Sequence, residues 1–204
     1  MMGNTNTQRG FTIVELLIVI VIIAILAAIT IVAYNGIQDR AQNTQRIAAA
    51  KDYQKIILSY MTQYGVYPKT LAITETYCLG DGYPDWDANG SEDCFASNNI
   101  KNVNAAVNTE LKKVAPSLPN FNKSPVADGA VQRLGIGYRG INIDGQAGRA
   151  ALFYYLKGAN VPCGLNNLLS LISGNDYTAT SAAYTSSSAT ATTCVVELPN
   201  PALL

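Results

Sequence analysis

The sequence predicts an α+β protein in which one long N-terminal α-helix packs on a small head built around an antiparallel β-sheet. An apolar stretch runs without a helix breaker into an amphipathic stretch that ends near residue 65. The C-terminal half then carries short β-branched and aromatic runs separated by glycines, which is typical of a strand meander. The chain is predicted to have four segments: a basic N-terminal segment at residues 1–10, the apolar half of the helix at 11–33, its amphipathic half at 34–65 and the head at 66–204.

The apolar half of the predicted helix is long enough to cross a lipid bilayer. Residues 16–33 carry no charge, and at 1.5 Å per residue they span roughly 27 Å, near the hydrocarbon thickness of about 30 Å. Between Arg9 and Asp39 the one charged residue is Glu15. Placing a charged side chain in hydrocarbon costs roughly 2.5–3.5 kcal/mol of free energy. An acid in this segment is therefore predicted to be a functional residue that needs a partner.

The residues around Glu15 resemble the N-terminal motif of type IV pilins and pseudopilins. That motif has a short basic leader, a glycine before the cleaved bond, a phenylalanine after it and a glutamate at the fifth mature position, matched here by Arg9, Gly10, Phe11 and Glu15. The resemblance implies that a membrane peptidase cleaves after Gly10 and methylates the new amino group of Phe11. It also implies that Glu15 pairs with the N-terminal amine of a neighbouring subunit during filament assembly. The specific match is confined to residues 9–38.

Two simpler interpretations of the apolar segment compete with this one. An ordinary single-pass anchor fits the length and hydropathy but has no need of Glu15. A cleaved secretory signal also begins with a basic residue and an apolar core, but its peptidase requires small residues after that core. The Gly10–Phe11 bond precedes the apolar run, which argues against a secretory signal.

The amphipathic half continues the same helix. Apolar or small residues recur mostly every three to four positions up to Tyr64, with charged residues between them, and Gly65 and Pro68 end the helix. Many pilins carry a proline roughly twenty residues into the mature chain, whereas this sequence has Ile31, Val32 and Ala33 in that region. The sequence therefore lacks the proline that is often associated with local melting of the helix in a filament, and Gly36 is a weaker candidate for a bend.

The head is predicted to contain a second helix and several strands. Apolar residues at helical spacing predict an amphipathic helix over 99–115, ended by Pro116. Strands are predicted at 134–138, 141–143 and 150–156, and 193–198 is expected to add an edge strand. Leucines between residues 165 and 172 show helical spacing, and the Ser/Thr/Ala-rich stretch 178–193 is expected to bury little.

The four cysteines predict crosslinks in the head. They form an even set in a chain whose head should lie outside the membrane, which favours disulfides over metal or redox chemistry. Three connectivities are available, and we favour Cys78 with Cys94 and Cys163 with Cys194 because each pair brackets a loop-like segment. By resemblance, a C-terminal disulfide in pilins encloses a variable surface loop, which places subunit or host contacts at 163–194. The Ser/Thr run there either carries sugars or is an unmodified flexible loop.

An acidic segment between the first two cysteines has part of a calcium-loop pattern. Oxygen ligands stand at alternate positions and at the ninth position of this loop: Asp85, Asp87, Asn89 and Asp93. Gly90 permits the sharp turn, but Ala96 occupies the twelfth position, where a bidentate glutamate is expected. A weak calcium site and an acidic, solvated turn are the two interpretations. The predicted function requires no cofactor.

Composition argues against catalysis and against a large nucleic-acid interface. The chain has no histidine, and its 14 Lys and Arg balance its 14 Asp and Glu. Gly135, Gly137 and Gly140 fit the letters of a dinucleotide-binding motif, but a strand-like run follows them where that motif needs a helix. We therefore expect a protein that is not an enzyme.

The predicted function is a structural subunit of a type IV pilus-like filament that supports adhesion or motility. Its partners would be identical or related pilin subunits, a prepilin peptidase, the pilus assembly machinery and the membrane. The precursor would be held in the cytoplasmic membrane as a single-pass protein, and the assembled filament would be extracellular. The alternatives are a pseudopilin of a type II secretion or DNA-uptake system, and a membrane-tethered binding module that does not polymerise.

Overall fold

The computed structural model describes residues 12–69, 76–85, 92–96, 101–102, 105–121, 123–129 and 131–204. The chain divides into two compact units, Met1–Arg40 and Ala41–Leu204. The first unit contains the apolar half of the N-terminal helix and the start of its amphipathic half, up to Arg40. The second contains the rest of that helix together with the head.

Helix α1 covers Ile13–Tyr64 and confirms the predicted long helix. It ends where the sequence predicts, because Gly65 adopts a φ of 67° and donates its N–H to the carbonyl of Met61 at 2.8 Å. A left-handed residue after the last helical turn favours glycine, which has no Cβ to strain there.

In the second unit, α1 buries one face against the head. The buried side chains recur three or four positions apart, as expected for one face of a helix: Gln42, Asn43, Arg46, Ala49, Ala50, Tyr53, Ile57, Tyr60 and Met61. Tyr53, Ile57 and Met61 belong to the same buried cluster as Tyr138 and Leu152 of the sheet. The main core therefore lies between this half of α1 and one face of the sheet.

The head has eleven described strands and two short helices. The strands are β1 Thr76–Leu79, β2 Asp93–Ala96, β3 Lys101–Asn102, β4 Val126–Asp128, β5 Val131–Arg133, β6 Ile136–Ile143, β7 Gln146–Lys157, β8 Leu169–Ser173, β9 Asp176–Ala179, β10 Ser186–Ser187 and β11 Ala191–Leu198. The helices are α2, Ala105–Lys112, and a terminal 3₁₀ turn, Pro201–Leu203.

Two sheets organise these strands. The larger has the order β10-β11-β7-β6-β9-β8, with β1 also paired to β6, and the smaller has the order β3-β2-β5-β4. Every described pairing is antiparallel except β6 with β9, which is parallel. The predicted α+β class with an antiparallel-rich head is confirmed.

The second helix is shorter than predicted. Lys101–Asn102, inside the expected helix, pair as a strand with β2, and α2 begins only at Ala105. Two residues of the predicted apolar stripe, Val107 and Leu111, lie in α2 and are fully buried one turn apart. Pairing with β2 overrides helical spacing in the first part of the run, because a tertiary contact outweighs local propensity.

The C-terminal region also differs from the sequence expectation. Leu169–Ser173, read as helical from its spacing, is strand β8 paired with β9. The predicted edge strand at the C-terminus, β11, is an interior strand between β7 and β10. Ser186–Ser187 cover its outer edge. The two faces of β11 are both largely buried, so its apolar run reflects a central position in the sheet.

Candidate functional site

The predicted assembly residue Glu15 lies at the start of α1, in a reciprocal contact with Thr12. Glu15 Oε2 accepts hydrogen bonds from the backbone N–H of Thr12 at 2.9 Å and from its hydroxyl at 2.7 Å. The Thr12 hydroxyl accepts in turn from the backbone N–H of Glu15 at 3.2 Å. This is a capping box, in which a threonine at the helix start and a glutamate three residues later satisfy backbone donors that have no helical partner.

The described large apolar side chains in the first half of α1 are exposed in the subunit. Each large apolar side chain from Ile13 to Ile31 is 47–85% exposed. Among the described residues, α1 is the one helix long and apolar enough to cross a membrane. An exposed apolar surface of this size marks a segment that lies in lipid or against other proteins.

The amphipathic half of α1 docks on the sheet through buried polar groups as well as apolar ones. Asn43 donates to the carbonyl of Lys157 at 2.9 Å and accepts from its N–H at 2.8 Å, so its amide continues the β7 hydrogen-bond ladder. Arg46 is 2% exposed and donates to the carbonyls of Tyr155, at 3.1 Å, and Ser124. Desolvation by burial lowers the pKa of Arg46 to about 10. These contacts fix where the helix meets β7.

Comparison with known proteins concerns this same N-terminal region. Residues 5–31 match the family model described as the prokaryotic N-terminal methylation motif. The chain is 40% identical over 62 residues to the type IV major pilin protein PilE of Neisseria gonorrhoeae, covering 30% of this chain and 37% of that protein. The N-terminal segment is similar to that of type IV pilins.

Other relatives match the same segment of the chain. A fimbrial protein of Neisseria meningitidis serogroup B is 39% identical over 61 residues, covering 30% of this chain and 36% of that protein. A fimbrial protein of Moraxella nonliquefaciens is 47% identical over 60 residues, covering 29% and 38% of the two chains. The chain thus spans little more than a third of the length of these relatives. No solved structure matches the chain significantly.

The processing residues of the pilin motif, Gly10 and Phe11, lie outside the described residues. Cleavage between them and methylation of Phe11 stay predictions from the motif. Thr12 is a residue that the sequence analysis missed. Its signal is the pattern of a threonine followed three residues later by a glutamate, immediately before an apolar run.

The head contains the two favoured disulfides. Cys78 pairs with Cys94 and Cys163 with Cys194, with Cα separations of 5.9 and 5.7 Å. All four cysteines are fully buried. The second bridge joins the segment before β8 to the interior strand β11, so the stretch between them is anchored to the sheet at one end.

The candidate calcium residues are only partly described. Asp85 is exposed, whereas Asp93 lies in β2 with its side chain fully buried, and its N–H donates to the carbonyl of Pro84 at 2.9 Å. Asp87 and Asn89 lie outside the described residues. The part of the chain that the structure describes holds no cluster of three or more His, Cys, Asp or Glu suited to a metal. Calcium binding stays a prediction.

Proposed function

We propose that this protein is the structural subunit of a type IV pilus-like filament and that it assembles through the apolar half of α1. The observation that carries this proposal is the long exposed apolar surface from Ile13 to Ile31, which has Glu15 as its one acidic residue. The methylation motif and the pilin and fimbrial relatives over the same residues support it.

The apolar surface suits two environments in succession. In the precursor, lipid tails surround it, since the segment is long enough to span the hydrocarbon layer once. In a filament, the helices of neighbouring copies replace the lipid. Both surroundings are apolar, so area burial alone gives little preference for assembly, and packing and polar pairing between helices must supply it.

Glu15 is the residue that supplies this preference. Within the subunit its Oε2 has the two donors of Thr12, which reduce the cost of holding a carboxylate beside lipid. In the filament we propose that it pairs with the methylated amine of Phe11 from a neighbouring copy. A buried charge left without its partner costs roughly 3–5 kcal/mol. The pair would therefore fix the axial register of one helix on the next.

The remaining parts of the proposal follow from the motif. A prepilin peptidase would cleave after Gly10, and the pilus assembly machinery would extract the subunit from the cytoplasmic membrane into an extracellular filament. The disulfide-linked head would form the filament surface and support adhesion or motility. In this role the protein carries out no catalysis.

The test is the chemical identity of the N-terminus in shear-released filaments, read by intact mass and N-terminal sequencing. The proposal expects a chain that begins at N-methylated Phe11. A Gly10→Leu variant should retain residues 1–10 and form no filaments, whereas Gly3→Leu, a matched change within the same leader, should be processed normally. An uncut chain confined to membranes would refute the proposal and favour a tethered binding module.

A further inference from the structure

The sheet face opposite α1 carries a cavity of about 640 Å³ that the filament proposal does not use. Side chains at alternate positions of a strand share a face, so Leu152 and Tyr154 of β7 lie on one face and Phe153 and Tyr155 on the other. Leu152 and Tyr154 belong to the buried cluster that contains the α1 residues, whereas Phe153 belongs to the second cluster. Phe153 and Tyr155 both line the cavity. The volume lies in the range of roughly 300–1,000 Å³ that is typical of small-molecule sites.

Both sheets contribute to this cavity. The larger sheet supplies Thr76, Arg139, Phe153 and Tyr155, and the smaller supplies Phe95, Asp128 and Arg133. The second hydrophobic cluster, which includes Phe153, Tyr177 and Val195, lies on this same face and supports the cavity floor. The cavity is therefore built from packed strands, which hold side chains more rigidly than loops do.

Gly137 makes the close approach of these walls feasible. It pairs with Phe153 across the β6–β7 ladder. A Cβ on Gly137 would lie 2.7 Å from Thr76 Cγ2 and 3.6 Å from the Phe95 ring. A side chain at this position would push the lining residues apart, which explains the glycine without any phosphate-binding role.

One wall is held in place by a network around Arg133. Its Nε lies 3.3 Å from Asp128 Oδ2, its Nη1 donates to the Tyr155 hydroxyl at 3.2 Å, and its guanidinium lies 4.4 Å from the centre of the Tyr155 ring. The Phe95 and Tyr155 rings meet edge to face with centres 5.7 Å apart. This wall is set before any ligand arrives, which lowers the entropic cost of binding.

The charges of the described lining residues favour an anion. Arg139 is the second guanidinium, lying 6.0 Å from the centre of the Phe153 ring and donating to Asn175 Oδ1. Two arginines outnumber the one acidic lining residue, Asp128, by one charge. Guanidinium groups bind carboxylates and phosphates with two parallel hydrogen bonds, so a carboxylate is an anion that they can hold in this way.

The other lining groups specify the rest of the ligand. Hydroxyls line the cavity on Thr76, Thr185, Ser186 and Thr193. They can exchange hydrogen bonds with ligand hydroxyls, and Asp128 can accept one. We propose that this cavity binds a monosaccharide that carries a carboxylate, of the uronic acid class, with Arg139 as the residue that selects the carboxylate.

The test is saturation-transfer difference NMR on the full-length chain in detergent micelles, titrated with glucuronate, with methyl glucuronide and with glucose. The proposal expects saturable transfer from the chain to glucuronate and at least about tenfold weaker binding of glucose, which lacks the carboxylate. Binding of the methyl glycoside as tightly as the free sugar assigns the ligand to a glycan end. If glucuronate binds and methyl glucuronide does not, the ligand is a soluble metabolite.

Two substitutions test whether glucuronate binds in this cavity. Arg139→Gln should weaken glucuronate binding at least about tenfold while leaving the weak glucose binding unchanged. Lys51→Gln removes an exposed charge on α1, away from the cavity, and should leave both unchanged. Equal binding of glucuronate and glucose, no transfer to either sugar, or undiminished binding by Arg139→Gln would overturn the proposal. If Arg139→Gln fails to fold, the comparison of glucuronate with glucose on the unaltered chain still tests the proposal.

Because the subunits in this experiment are unassembled, its outcome is independent of filament formation.

Discussion

Thr12 and Glu15 form reciprocal hydrogen bonds at the first turn of α1. The hydroxyl of Thr12 donates to the Glu15 carboxylate at 2.7 Å and accepts from the Glu15 N–H at 3.2 Å. The residue that precedes α1 thus contacts the one carboxylate in the apolar half of that helix. The contact orients Glu15 at the helix start, next to the position at which Phe11 would become the N-terminus.

Replacing Thr12 with valine should impair assembly without affecting processing. Valine keeps the shape of threonine but removes the hydroxyl contacts, and loss of a helix cap of this kind costs roughly 0.5–2 kcal/mol. We expect several-fold fewer shear-released filaments per cell and a normal amount of mature-sized chain. Thr12→Ser retains the hydroxyl and should assemble normally. Equal filament yields for Thr12→Val and the unaltered chain would show that the capping contact has no role in assembly.

The disulfide between Cys163 and Cys194 should contribute strongly to head stability. It spans 31 positions in sequence, so closing this loop in the unfolded chain is worth roughly 3–4 kcal/mol by the chain-entropy model. A Cys163→Ala, Cys194→Ala double variant should unfold at a clearly lower urea concentration. The matched double variant of Cys78 and Cys94, whose loop spans 16 positions, should lose slightly less. An unchanged urea midpoint in the first variant contradicts this prediction.

Alkaline pH should destabilise the head through its buried tyrosines. Burial, followed by the hydrogen bond to Glu110, raises the pKa of Tyr60 to about 12. Because the folded-state pKa lies above the unfolded value of about 10, its stabilising contribution is complete below pH 10 and is lost as the pH rises through 12. Tyr60→Phe should therefore show a shallower decline in the free energy of unfolding between pH 10 and 12. A decline as steep as that of the unaltered chain would argue against this role.

Much of the helical architecture can be predicted from sequence because its signals are local. The apolar run, the amphipathic spacing and the Gly65 stop give α1 its end at Tyr64, as observed. The role proposed for Glu15 also depends on a local signal, because a lone acid in hydrocarbon needs a partner.

The errors arise where strand pairing over long sequence distances decides the structure. The leucines before Gly174 show helical spacing, yet Leu169–Ser173 pairs with β9, and that strand pairs in parallel with β6. The cavity around Arg139 could not be predicted either. Its residues come from separate strands of two sheets, and no short motif links them.

Calcium binding between Cys78 and Cys94 can be tested by thermal unfolding. If Asp85, Asp87, Asn89 and Asp93 ligate an ion, calcium at ten times its dissociation constant stabilises the folded chain by about 1.4 kcal/mol and raises the unfolding midpoint. Asp87→Asn should weaken this response, whereas Asp52→Asn, an exposed acid on α1, should not. An unchanged midpoint at millimolar calcium would refute the site.

If Glu15 directs assembly as proposed, a Glu15→Ala variant should form few filaments, and its filament yield measures this. The variant should insert into the membrane and be cleaved normally, because neither step depends on the carboxylate. Its shear-released filaments should fall at least about tenfold, since the Phe11 amine of each neighbour loses its partner. Asp52→Ala removes an exposed acid from the same helix and should assemble normally. A Glu15→Ala yield equal to that of the unaltered chain would contradict the assembly mechanism.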